Sequence, residues 1–255
     1  MDADRVVPGP QGTRFPQIHH RHEVGSTNAL LLDEARNGAA EGLVLVTDHQ
    51  TAGRGRQQRT WHDEPGTAML ISILTRPREP LVPLMPFIAG LSVTDAVAEA
   101  SGRAGAAMLK WPNDVLVPDH GNRKLCGILC EATTTPGAGS VAVVAGIGLN
   151  LRPQQGVPAE VTAKAVTMAE LGAPTERWTM VDALLRAMDR WLSSSAAGVL
   201  GEYRRRCITI GRSVRFATAT STVEGVAEAV ADDGGLVVVG EHGTATLVAG
   251  DAHHV

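Results

Sequence analysis

The chain has 255 residues, with 23 basic and 27 acidic side chains and a formal net charge of −4. Its pI is near 6.1, which argues against a general nucleic-acid binder. Hydrophobic residues make up 44% and charged residues 20%, enough for one large globular domain or a large and a small one. No apolar run approaches the ~18 residues of a membrane span. The polar start MDADRVVPGPQG has no signal character. The low, odd cysteine count of Cys126, Cys130 and Cys207 suits a reducing compartment, so a cytoplasmic protein with packed thiols is expected.

In chain order, residues 1–14 read as a flexible tail, with two prolines, two glycines and no periodicity in the first twelve. Ile18–Val24 reads as a strand. His19, His20 and His22 in it read as a solvated edge, because no Cys or carboxylate pattern accompanies them beyond Glu23. Ser26 or Thr27 caps a helix that Gly38 ends. Leu43–Thr47 and Thr67–Leu74 are strands. Pro83–Ala100 is a helix apolar on several faces, with Gly90 set for close packing. A strand at Met108–Lys110 stops at Pro112, Asn113 and Asp114 turn, and Val115–Val117 resumes the sheet. After the turn Asp119–Arg123, strands Lys124–Ala132 and Val141–Leu149 flank a Gly-rich turn at 135–140.

Val161–Leu171 reads as a short helix, and Met180–Tyr203 as a longer one that Gly198 and Gly201 break or bend. Arg204–Arg206 suit its C-terminus and read as structural. From Cys207 the texture becomes short β-rich segments at Ile208–Phe216, Val223–Ala231, Leu236–Gly240 and Thr244–Ala249. The turns DDGG at 232–235 and EHG at 241–243 join them. His253 and His254 read as a tail. The expectation is α+β: a domain over 15–206 with a mixed or antiparallel sheet flanked by helices, and a small SH3-like barrel over 207–255 docked on it.

Four stretches carry the chemistry. His49–Trp61 (HQTAGRGRQQRTW) holds Arg54, Arg56 and Arg59 with no acid between them. Gly53 and Gly55 permit close approach, so such a loop can wrap an anion, although alone it serves equally as an exposed basic turn. Lys110–Val117 (KWPNDVLV), Arg123–Glu131 (RKLCGILCE) and Gly146–Asn150 (GIGLN) follow, with Gly25–Asn28 (GSTN) before them.

In this order the motifs resemble those of biotin–protein ligases, from about Phe15 to the C-terminus. The resemblance implies a catalytic domain of the kind shared with class II aminoacyl-tRNA synthetases. It also implies an activity: biotin is activated with ATP and Mg²⁺ to biotinyl-5′-AMP, then passed to a lysine of a biotin carboxyl carrier domain of an acyl-CoA or pyruvate carboxylase. With the motifs starting at Gly25, the single-function ligases without a DNA-binding domain are the expected match. No DNA or membrane partner is expected, and the protein is expected to be a monomer or a weak, ligand-dependent homodimer.

Carried over by motif, Ser26, Thr27, Asn28, Gln50, Gly53, Arg54, Gly55, Arg56, Lys124, Gly127 and Ile128 would bind biotin. Arg56, Arg59, Trp61, Lys110, Asn113, Lys124 and Asn150 would hold ATP or the adenylate. Lys124, Arg54, Arg56 and Asp114 would be catalytic. Asp114 would act on the incoming lysine or on Mg²⁺, whose ligands the sequence leaves open. Trp111 would line the pocket or the core, and Asn150 could equally be a turn residue ending a strand. Gln58 stands where the family often has glycine, which puts the turn's shape in question if a positive φ is needed. A polar, glycine-rich, like-charged loop has little reason to hold one shape until an anion arrives, so closure over biotin, with ATP second, is expected.

Other readings are a lipoate–protein ligase, which would carry an Arg-Arg…Gly-Gly loop not found here, an AT-hook-like DNA binder, which would need flanking prolines, and a non-catalytic relative.

Overall fold

The computed structural model describes residues 4–134, 141–217, 222–241, 243–248, 250 and 252–254. The turn expected at 135–140 and the middle of that at 241–243 lie outside them. Among the described residues, eight strands form one sheet: β1 (Arg5–Pro8), β2 (Gln17–Val24), β3 (Val44–Gln50), β4 (Ala68–Thr75), β5 (Met108–Lys110), β6 (Asp114–Val117), β7 (Arg123–Thr134) and β8 (Val141–Asn150). Their order is β1-β2-β3-β4-β8-β7-β6-β5. β2 and β3 pair in parallel, because helix α1 (Thr27–Arg36) carries the chain back between them. The other neighbours pair antiparallel.

The period-2 alternation of strands decides what covers each face. Met69, Ile71, Ile73, Ala145 and Ile147 face the main core, where α2 (Met85–Ser101) and α4 (Arg177–Leu192) pack. Gly90 of α2 lets Leu109 approach, since a Cβ there would lie 2.8 Å from Leu109 Cδ2. On the opposite face Leu31, Leu32 and Ala35 of α1 cover Leu45, Leu74, Ala142 and Val144. α1 covers only that end. Farther along, the same face of β7 and β8 carries Gly127, Gly146 and Gly148, on which the Trp61 ring and the Asn28 amide lie.

The second sheet is antiparallel, ordered β12-β11-β10-β9-β13, from β9 (Ser213–Ala217), β10 (Thr222–Val230), β11 (Leu236–Gly240), β12 (Gly243–Leu247) and β13 (Ala252–His254). It forms the small C-terminal barrel. Val214, Phe216, Val230, Leu236 and Val238 join the main core cluster, so the unit shares its apolar interior with the larger domain.

Several details differ from the sequence reading. The N-terminal segment is not a loose tail from Arg5 on: β1 pairs with β2, Arg14 Nε meets Asp189 at 2.8 Å and Phe15 is buried. β2 is therefore not an edge, and His20 is only 3% exposed. The expected helix over 161–171 is a single turn, α3 (Ala159–Thr162). The backbone beyond it is drawn into pairing with β7, Lys124 N donating to Lys164 O and Val166 N to Lys124 O. The long C-terminal helix is two, α4 and α5 (Ala196–Arg206). Ser195 makes the break by capping α5, its Oγ accepting from Gly198 N at 3.1 Å, while Gly198 and Gly201 are ordinary helical residues. His253 and His254 form β13, not a tail.

The buried His20 belongs to a polar knot that ties α4 to the sheet. Asp48 Oδ1 meets His20 Nε2 at 3.0 Å, Oδ2 meets His22 Nδ1 at 3.1 Å, and Arg177 binds the same carboxylate. Partial burial would raise the Asp48 pKa, but the bonds from His20, Arg177 and His22 and the charge of Arg177 outweigh it and hold it at about 2. Among the described residues no group of three or more His, Cys, Asp or Glu is arranged to hold a metal. Burial pushes the Cys126 thiol up, and pushes Cys130 up to about 12 with help from Glu131. Both are packed thiols, not reactive ones.

A carboxylate with a depressed folded pKa contributes stability above its unfolded pKa near 3.9, and the contribution is lost as pH falls toward 2. Asp48→Asn is therefore expected to cost ~2 kcal/mol at pH 7. Denaturant titrations from pH 7 to 2 should show the gap closing below about pH 4. A gap that is absent at pH 7, or constant with pH, would contradict this account of the knot.

Candidate active site

β7 carries the central lysine because of a bulge. Across from β6, Cys126 pairs with Val115 and Lys124 with Leu116, leaving Leu125 as an extra residue. Strict alternation would put Lys124 on the face of Cys126, in the core. The bulge turns it to the face of Gly127 instead: a Cβ on Gly127 would lie 3.0 Å from Lys124 Nζ. There Nζ meets Asp114 Oδ1 at 2.6 Å, both side chains being partly exposed.

Asp114 is aimed by the KWPND turn, and the C-terminal barrel holds that turn. Trp111 N donates to Thr209 Oγ1 and its indole Nε1 to Gly234 O, each at 3.0 Å. Trp111 is thus a core and interdomain residue that also lines the cavity beside Lys110 and Asp114. Asn113 Nδ2 donates to Ile128 O at 2.7 Å, while its Oδ1 accepts from Arg56 Nη1 at 3.1 Å.

The arginine loop is a hairpin. Trp61 N donates to Gly53 O and Gly55 N to Arg59 O, and Gly53 has no room for a Cβ, which would fall 2.8 Å from Trp61 O. At its tip Gln57 and Gln58 have φ of +53° and +59°. Gln58 therefore keeps the left-handed backbone that a glycine would take, at a cost of about 1 kcal/mol, and the hairpin retains its course. Arg54 reaches Glu131 at 3.4 Å and Arg59 donates to Gln57 Oε1 at 3.1 Å.

The hairpin delivers Trp61 onto a floor of glycines. Cβ atoms on Gly127 and Gly148 would lie 2.8 and 2.5 Å from its ring. Lys124 Nζ stands 5.9 Å from the ring centroid. The buried indole N–H finds no acceptor among the described residues, so a donor is available where a ligand oxygen would be welcome.

The GSTN stretch closes the far wall. Ser26 caps α1. Gln50 Oε1 accepts from Thr27 N at 2.9 Å and Thr27 Oγ1 at 3.1 Å, which leaves the Gln50 amide N–H₂ to face the cavity. Asn28 is fully engaged: Nδ2 donates to Leu129 O and Glu131 Oε2, and Oδ1 accepts from Ser72 Oγ at 2.6 Å. Gly146 makes room for that amide, against which a Cβ would collide. Asn150 is likewise held, donating to Lys124 O and Val166 O at 3.2 Å. Ser72, Glu131 and the floor role of Gly146 and Gly148 were not read from the sequence. Alternating glycines in GIGLN are the signal that could have found the floor, since both fall on one strand face.

Three cavities meet at Lys124 and Trp61. A small one of about 70 Å³ lies between Thr27, Gln50, Gly146 and the hairpin. A larger one of about 680 Å³ runs past Asn150, Arg123 and Lys164. A third of about 160 Å³ opens between Arg56, Lys110, Asp114 and His253. Of the expected site residues, Lys124, Arg56, Trp61, Asn113, Gln50, Thr27 and Gly127 converge here. Lys110 and Arg59 line the outer cavities, while Asn28 and Asn150 position the walls.

The Biotin/lipoate A/B protein ligase family matches residues 23–150, and the Biotin protein ligase C terminal domain family matches 209–255. The biotin–[acetyl-CoA-carboxylase] ligase of Mycobacterium tuberculosis is 34% identical, over 96% of this chain and 91% of that one. The bifunctional ligase/repressor BirA of Bacillus subtilis is 28% identical, over 90% and 72%. The solved biotin protein ligase from Aquifex aeolicus in complex with biotin and ATP superposes with a TM-score of 0.78 at 26% identity, over 93% of this chain and 99% of that one. The motifs, the bulge-set lysine and this near full-length likeness agree: the chain belongs to the biotin–protein ligases of the biotin/lipoate ligase family.

Proposed function

We propose that the protein is an ATP-dependent ligase that activates biotin as biotinyl-5′-AMP and transfers it to a lysine of a biotin carboxyl carrier domain. The observation that carries this reading is the position of one lysine where three cavities join. The small cavity, enlarged by lifting the Trp61 ring, would take the biotin head group, and the large one a nucleotide. The third suits an approaching lysine side chain. A second reading, lipoate as substrate, has no observation in its favour: the polar Thr27–Gln50 wall suits a ureido ring, which a dithiolane lacks.

Biotin's carboxylate is ionised at neutral pH, so adenylation needs no general base. Its difficulty is bringing one anion onto the α-phosphorus of another. Lys124 would neutralise the approach, releasing Asp114 as it turns to the shared oxygens, and the arginine hairpin would add positive charge. The carboxylate oxygen then bonds to the α-phosphorus and pyrophosphate leaves. Mg²⁺ would arrive with the nucleotide, and Asp114, the carboxylate beside Lys124, would be the residue to hold it as the alternative to acting on the acceptor lysine. The ion would supply further charge neutralisation.

In the second step an acceptor lysine enters past Lys110 and His253. Asp114, by then freed of Lys124, would orient its ammonium and take its proton. The neutral amine attacks the acyl carbon, an amide forms and AMP leaves. The Trp61 ring fills the glycine floor, and a 70 Å³ cavity has room for only a few ligand atoms. Binding therefore requires that the ring lift and close again over the adenylate, shielding the anhydride from water.

With ATP, Mg²⁺ and biotin, mass spectrometry is expected to detect biotinyl-5′-AMP, and with a carrier domain an added biotinyl group on lysine. Turnover of lipoate but not biotin would overturn the substrate assignment.

The two charged residues should separate by half-reaction. Lys124→Ala is expected to slow adenylation by ~100-fold or more. Its melting temperature should stay within a few degrees of the parent's, because a partly exposed ion pair contributes only about 1 kcal/mol or less. A folded variant with parental adenylation would remove Lys124 from the mechanism.

Asp114→Ala is expected to slow transfer from preformed biotinyl-AMP by at least ~10-fold. Equal transfer rates in variant and parent would exclude the role given to Asp114.

A further inference from the structure

The residues just after Trp61 belong to none of the motifs, yet they grip both walls of the site. Asp63 turns one way. Its side chain is fully buried, accepting from His49 Nδ1 at 2.8 Å and from Gln50 N at 3.4 Å. It fastens the exit of the arginine hairpin to the end of β3, at the residue whose amide holds Thr27. Glu64 turns the other way. One carboxylate oxygen accepts from Gln155 N at 2.9 Å and the other from Gly156 N.

Two adjacent backbone N–H groups on the two oxygens of one carboxylate form a charge-assisted, two-point clasp. Gly156 is part of it, since a Cβ there would lie 2.8 Å from Glu64 Oε1. Glu64's own carbonyl is fixed as well, accepting from Thr67 Oγ1 at 2.7 Å and Thr67 N at 3.1 Å. The clasped segment is a wall of the large cavity, contributing Pro153, Gln154 and Val157.

We propose that Glu64 is a positioning residue that couples the two substrate sites, passing the set of the biotin-side hairpin to the 153–157 wall of the nucleotide cavity. The inference rests on the reading of the small and large cavities as biotin and nucleotide sites. When biotin fixes the hairpin, Asp63 and Glu64 are fixed with it, and the nucleotide wall is held in its binding position before ATP arrives. ATP in turn holds the hairpin down, because coupling between two binding sites is reciprocal. The clasp is largely exposed, so its loss should spare the fold.

The test uses the full chain and three variants. Glu64→Ala removes the clasp, Glu64→Gln keeps one acceptor without the charge, and Gly156→Ala crowds the Glu64 carboxylate, the far end of a flexible side chain, and so loosens the clasp without removing it. Biotin affinity is measured with and without a non-hydrolysable ATP analogue, alongside kcat and KM for ATP in adenylation. In the parent, the analogue should tighten biotin binding. In Glu64→Ala that tightening should fall toward none and KM for ATP rise about 10-fold, with biotin affinity alone and the melting temperature near parental. Glu64→Gln and Gly156→Ala should lie between. Parental tightening and KM in Glu64→Ala would overturn the clasp, as would a parallel loss of biotin affinity, ATP affinity and melting temperature, which marks a merely structural role. A parent that makes no biotinyl adenylate would instead overturn the reading of the cavities, and the clasp with it.

Discussion

The site depends on the ion pair between Lys124 and Asp114. Two anions that must react repel each other, and a single cation held at their meeting point removes most of that barrier. A lysine left alone there would be drawn to any nearby carboxylate or to water. Pairing with Asp114 at 2.6 Å keeps it in place. In the proposed mechanism the same pairing would tie the two half-reactions together: Lys124 would leave Asp114 for the forming anhydride, and the carboxylate would then be free to receive an ammonium. The rest of the fold serves this geometry. The extra residue Leu125 turns Lys124 out of the core, and the cross-domain bonds of Trp111 hold the turn that carries Asp114.

Around that pair the sheet is stripped of side chains. Glycines at 127, 146 and 148 let an indole ring and a buried amide lie directly on the backbone. Substituting any of them would add a group where there is no space. In the proposed mechanism Trp61 would act as a removable lid, seated by packing and by the hairpin's own hydrogen bonds, with an indole N–H that has no acceptor among the described residues. A lid fastened by shape and a few backbone bonds can open at modest cost, whereas one sealed by a buried salt bridge would not.

Most of the larger domain was legible in the sequence because its signals are local. Continuous β-rich apolar runs mark β3, β4, β7 and β8, and Pro112 with Asn113 and Asp114 marks the turn between β5 and β6. What escaped depends on distant partners. β1 is short and mostly exposed and exists through pairing with β2. The segment after α3 carries a helical pattern but is claimed by Lys124 and its neighbours. β13 is three residues long and ends the small sheet beside β9. In the helical region, glycines at 198 and 201 looked like breakers, yet the serine before them set the boundary, because a cap acts through a specific hydrogen bond whereas a glycine merely tolerates one. The site residues could be named from their motifs, but their partners could not. That Asn28 and Asn150 spend their amides inside the protein, and that Asp63 and Glu64 hold two walls together, follows only from contacts between residues 13 or more positions apart.

The most direct test of the account is a crystal structure with a non-hydrolysable analogue of biotinyl-5′-AMP. The account predicts that Lys124 Nζ has left Asp114 and lies within ~3 Å of oxygens on both the acyl and phosphate sides of the ligand. It also predicts the Trp61 ring raised from Gly127 and Gly148 to cover the ligand. A bound analogue with Lys124 still on Asp114 and no contact to either oxygen would contradict the central claim.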